Sequence, residues 1–67
     1  MRIKITVKGG YRDTTYRAPD ITRISRVFFS NGAWSLHRWD GDAVKQSRHD
    51  SRAYAITKAR AWVRNGS

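Results

Sequence analysis

The stretch Ser30-Asn31-Gly32-Ala33-Trp34-Ser35-Leu36-His37-Arg38-Trp39-Asp40-Gly41-Asp42 decides the fold. Its middle, Ala33 to Trp39, is a short strand candidate with a turn signal at each end. Asn-Gly is the strongest short-range hairpin signal, because both residues tolerate positive φ. The strand is therefore the centre of an antiparallel meander running from about Ile24 to His49. A two-residue loop at Asn31-Gly32 pairs Ser30 with Ala33, Phe29 with Trp34, Val27 with Leu36 and Ser25 with Arg38. Directly opposed residues share a face of the sheet. One face then holds Phe29, Trp34, Val27 and Leu36, with Ser25 and Arg38 toward its end. The other holds Ile24, Arg26, Phe28, Ser35, His37 and Trp39. A slip of one residue would exchange the two faces.

The next turn sets where the last strand, Ala43 to about Arg48, points. A three-residue Asp40-Gly41-Asp42 loop puts Val44 and Gln46 on the core face and Lys45 and Ser47 on the open one. A two-residue loop would bury Lys45 beside Leu36, so the longer loop is expected. A helix follows over Ser51 to Arg64, with Asp50 or Ser51 as its N-cap and Asn65-Gly66 as its stop. Ala55, Ile56, Ala59, Trp62 and Val63 fall on one stripe of that helix, while Arg60, Arg64 and Thr57 fall on the far side. The stripe predicts a core shared by Ile56, Ala59 and Val63 with Val27, Phe29, Trp34 and Leu36.

Arg2 to Lys8 alternates, with Ile3, Ile5 and Val7 on one face and Arg2, Lys4, Thr6 and Lys8 on the other. A turn at Gly9-Gly10 would return the chain along Tyr11 to Arg17, with Ile3 facing Tyr16, Ile5 facing Thr14 and Val7 facing Arg12. Ala18-Pro19-Asp20 breaks the pattern, and Ile21-Thr22-Arg23 reads equally as a helical turn or as the start of the next strand. The expected fold is one α+β domain over residues 1–67: an N-terminal hairpin (1–17), a meander (24–49) and a helix (51–64). The antiparallel sheet has four to five strands, with the C-terminal helix packed on one face. The N-terminal hairpin either extends that sheet or covers its open face.

Charge is the strongest compositional signal. Fourteen Lys and Arg against five acids give a net charge of +9; ten of the fourteen are Arg, and there is no Glu. Arg offers a planar fork of donors that fits phosphates and guanine edges and stacks on rings. Four of the five acids, Asp20, Asp40, Asp42 and Asp50, sit at turn or cap positions. The excess of cations implies a polyanion partner, first of all nucleic acid. Arg26, Phe28, Ser35, His37, Trp39 and Lys45 on the open face are the candidate base contacts. Lys4, Lys8, Arg38, Arg48, Arg60 and Arg64 are the candidate phosphate contacts.

Other chemistries have little to work with. No Cys is present, and His37 and His49 lack the spacing of a metal site, so no metal or cofactor is expected. Few carboxylates and no Glu leave no acid–base pair for catalysis, so a non-enzyme is expected. No apolar run approaches the ~20 residues that span a bilayer. No signal peptide is visible at Met1, so a cytoplasmic location, in a bacterial host cell or its nucleoid, is expected.

Asn31-Gly32-Ala33-Trp34, Arg38, Asp40-Gly41 and the run His49 to Ala59 together resemble the three-strand-plus-helix DNA-binding domain at the N-terminus of lambda-type phage integrases. They are also similar to plant ethylene-response-factor domains. The resemblance covers residues 24–64 and implies that the sheet face enters a DNA major groove. By position, Arg26, Ser35, His37 and Lys45 would read bases, with Trp39 as an aromatic contact. The 67 residues show no recombinase catalytic domain, so the resemblance implies DNA binding and not recombination. The favoured expectation is a small phage- or plasmid-type accessory or regulatory factor that binds duplex DNA, as a monomer or homodimer. The alternatives are a small phage-type inhibitor of a host or defence protein and an RNA-binding module.

Overall fold

The computed structural model describes residues 4–18 and 22–66. It contains five strands, β1 (Thr6–Gly10), β2 (Asp13–Arg17), β3 (Arg23–Ser30), β4 (Ala33–Asp40) and β5 (Ala43–His49), followed by α1 (Arg52–Asn65). The strands form one antiparallel sheet in chain order. This is the expected α+β arrangement, with five strands and the helix on one face. The N-terminal hairpin extends the sheet through β2 and β3 rather than covering its open face. The expectations on Ile3 and on the break at residues 19–21 lie outside the described residues.

The central hairpin has the predicted register from Ser30↔Ala33 to Ser25↔Arg38. Asn31 (φ 51) and Gly32 (φ 78) both take positive φ, as the two-residue turn requires. The two outer turns differ from expectation. β4 and β5 close through a two-residue Gly41-Asp42 loop that pairs Asp40 with Ala43, so Lys45 faces Arg38 and Ser47 faces Leu36. Lys45 and Ser47 therefore lie on the helix side, and Val44 and Gln46 on the open side. Burial of Lys45 does not follow, because β5 is an edge strand. Its stem runs to the rim, where Nζ sits 5.7 Å from the Trp62 ring centroid.

The first hairpin turns at Tyr11-Arg12, not at Gly9-Gly10, so Val7 pairs with Tyr16, Lys8 with Thr15 and Gly9 with Thr14. Both glycines lie within β1. The reason is tertiary. At the tip, the Tyr11 ring packs edge-on against Trp34 at 5.7 Å, and Arg52 Nε donates to the Tyr11 carbonyl at 3.0 Å. The shift is by two residues, so the faces survive. Gly9 adopts φ +104, and a Cβ there would run into the Asp13 carbonyl oxygen.

The helix starts at its Ser51 N-cap, whose hydroxyl accepts from the Tyr54 amide, and ends on left-handed Gly66. The core beneath it contains Tyr16, Ala18, Val27, Leu36, Ala55, Ala59, Trp62 and Val63. Ala55, Ala59 and Ser25 let helix and sheet approach closely, and the Ser25 hydroxyl donates to the Ala59 carbonyl at 2.9 Å. Arg23, at the start of β3, caps the last turn by donating to the carbonyls of Trp62, Val63 and Arg64. Trp62 Nε1 donates to the Trp39 carbonyl at 3.0 Å.

Ile56 and Trp34 are partly buried at the edge of this core, but Phe29 is not part of it: 41% of its surface is exposed. Fourteen helical residues span about 21 Å. An eight-residue strand spans about 26 Å. With its C-terminal turn pinned at Arg23, the helix brings its first turn to the level of Phe29, whose ring packs on Trp34 and beside Arg12 instead of entering the core.

Candidate nucleic-acid interface

The register places every candidate on one side of the sheet or the other. On the open side, β3 and β4 present three opposed pairs, Ile24↔Trp39, Arg26↔His37 and Phe28↔Ser35. Side chains of this set touch in sequence. The Arg26 guanidinium lies 4.4 Å from the Phe28 ring centroid. Phe28 meets His37 edge-on at 4.9 Å, and His37 meets Trp39 at 5.8 Å. All of these except Ser35 are half-buried; Ser35 is buried among them.

Arg26 is already engaged. Its Nε and terminal nitrogen donate to the two Asp13 oxygens at 2.9 and 2.6 Å, the one ion pair among the described residues. These hydrogen bonds, and the positive charge behind them, hold the Asp13 carboxyl below its ordinary range and raise the Arg26 guanidinium, against a smaller opposing effect of burial. Arg26 reaches a base edge only by leaving Asp13. Exposed pairs of this kind contribute about 0–1 kcal/mol, so the exchange is cheap.

Cations flank the central pairs. Lys8 on β1 and Arg17 on β2 are exposed on the open side, as their pairing with Thr15 and Ile24 requires. Arg48 on β5 faces Ser35, and its guanidinium folds back to the carbonyls of Ser30 and Asn31 at 3.1 and 3.2 Å. Lys4 is exposed just ahead of β1. The remaining candidates do not join this surface. Arg38 and Lys45 lie on the helix side beside Trp62. Arg60 and Arg64 are exposed on the outer side of α1, with the sheet between them and the open face.

Two features escaped the sequence reading. Arg17 shares strand parity with Asp13 and Thr15, and extending that alternation would have found it. The second is a cluster on the helix side, made of Tyr11, Phe29, Trp34, Arg12 and Arg52. The Asn31-Gly32 register pairs Phe29 with Trp34, but no sequence pattern brings Tyr11, Arg12 and Arg52 to them. Among the described residues, no three of His, Cys, Asp and Glu come together, and no helix is long and apolar enough to cross a membrane. No known protein family, characterised protein or solved structure matches the chain.

Proposed function

We propose that the protein binds duplex DNA through the open face of its sheet, in an accessory or regulatory role. The observation that carries this reading is the distribution of side chains across the five strands. Neighbouring strands lie about 4.8 Å apart, so β2 to β4 span about 10 Å and β1 to β5 about 19 Å. The B-DNA major groove is about 12 Å wide. The three central strands match that width. They carry Arg26, His37 and Trp39, which offer donors, acceptors and an apolar ring to base edges, while the expected contact Ser35 is buried between them. The outer strands fall over the groove walls and carry Lys8, and Arg48 once it releases the Ser30 and Asn31 carbonyls, toward the phosphates. The resemblance of residues 24–64 to integrase DNA-binding domains implies that the sheet face enters the groove, and this supports the reading.

Duplex affinity measured across a salt series tests the proposal. Lys8→Ala and Arg48→Ala should each flatten the slope of log K against log salt by about 0.9, the release belonging to one phosphate contact. Arg60→Ala and Arg64→Ala, on the far side, should leave the slope nearly unchanged. His37→Ala should alter preference among sequences more than overall affinity. Equal effects from the sheet and helix substitutions would overturn the open face as the interface.

A further inference from the structure

We infer that the protein has a second ligand surface, on the opposite side of the sheet, which binds single-stranded nucleic acid by stacking its bases. The surface lies beside the N-terminal end of α1, which reaches it through Arg52. Tyr11 is 67% exposed, Phe29 41% and Tyr54 51%, the three most exposed aromatic rings among the described residues. Trp34 joins two of them, with its ring 5.7 Å from Tyr11 and 5.1 Å from Phe29. Exposed rings brought together from separate segments mark a contact surface, since scattered apolar residues would need no such assembly.

The charges around these rings select the partner. The Arg52 guanidinium stacks on Tyr11 at 4.0 Å and is fixed there by its bond to the Tyr11 carbonyl. Arg12 lies 5.6 Å from the Phe29 ring centroid. Neither guanidinium has a carboxylate partner among the described residues. The helix beginning here has no acid in its first turn, and the Ser51 hydroxyl caps its end. Asp50, exposed beside the N-cap, is the nearby acid in the sequence. A partner must therefore offer flat π surfaces alternating with negative charge. An unpaired polynucleotide does so, with bases for Tyr11 and Phe29 and phosphates for Arg12 and Arg52. A duplex hides its base faces in the stack, and a polyglutamate chain has charge without the rings.

This surface does not depend on the open-face reading, and ring-only substitutions separate the two. Binding of short oligo(dT) and oligo(rU) would be compared with binding of a duplex for the wild type, Tyr11→Ala, Phe29→Ala and Tyr11→Phe. None of these changes alters charge. Tyr11→Ala and Phe29→Ala should each weaken binding of one or both oligonucleotides roughly five- to 150-fold, the effect of one lost stacking contact. Duplex affinity should stay unchanged, and Tyr11→Phe should keep the oligonucleotide affinity. Circular dichroism and a thermal melt establish that each variant is folded. Oligonucleotide affinity unchanged in folded Tyr11→Ala would overturn the inference. So would a parallel loss of duplex binding, or displacement of the oligonucleotide by polyglutamate as readily as by itself. If Lys8→Ala and Arg48→Ala leave duplex binding intact while Tyr11→Ala abolishes strand binding, the open-face proposal fails and this one stands.

Discussion

The Asp13 carboxylate sits at the centre of the open face's electrostatics, because it holds Arg26, the cation of the central β3–β4 pairs. With its pKa held below the ordinary carboxylate range, the pair stabilises the fold above that range. The contribution is lost as pH falls through the depressed value. Both partners are largely exposed, so the difference in stability is small. The consequence for binding is larger. Asp13→Asn should free Arg26 and remove a negative charge from the face. Duplex affinity should rise and preference among duplex sequences should change, because Arg26 is placed at the base edges. Titration of the variant beside the wild type against several duplex sequences checks this, and an unchanged preference would overturn Arg26 as a base contact. At this scale the sequence was legible where strand parity alone decides orientation, as for Arg26, His37 and Trp39. It misled at Lys45, where aversion to a buried amine outweighed the freedom of a long side chain at a sheet edge.

Among the elements, the two hairpins flanking the centre show what turn chemistry can and cannot decide. Asn31-Gly32 specifies its register unaided, since both residues adopt the positive φ that the tight turn needs. Gly9-Gly10 carries an equally plausible turn signal, yet it lies in strand. There the contacts of Tyr11 with Trp34 and Arg52 select a turn two residues later. A local rule prevails only where no distant side chain competes for the same residues. The two glycines should consequently behave differently. Gly9→Ala forces a Cβ onto the Asp13 carbonyl at φ +104, and should cost about 1–3 kcal/mol. Gly10→Ala meets nothing within 4 Å and has no positive φ, so it should be near neutral. Urea denaturation gives the stabilities, and amide exchange along β1 should rise in the Gly9 variant alone. Equal effects at the two positions would place the turn back at Gly9-Gly10. The helix, by contrast, was readable almost to the residue, because its cap, apolar stripe and glycine stop agree.

On the scale of the whole molecule, the sheet divides two chemistries: a mixed polar and aromatic face on one side, and a helix with an uncovered ring cluster on the other. The strand order also governs how such a chain reaches its native state. Because the order in space is the order in the chain, each ladder can zip from its own turn without waiting for a distant segment. The bonds that seat the helix are the distant ones, joining Ser25 to Ala59 and Arg23 to Trp62 across 34 and 39 residues. If the helix docks after the ladders have formed, the effect of these bonds is confined to unfolding. Arg23→Gln and Ser25→Ala should therefore speed unfolding while leaving the refolding rate nearly unchanged, with φ-values near zero in stopped-flow measurements. Refolding slowed in proportion to the lost stability would instead mean that the helix is already seated at the barrier. If docking is late, the bonds of Arg23 and Ser25 and the buried face of the helix lengthen the life of the native protein, and with it the time the chain resists a protease.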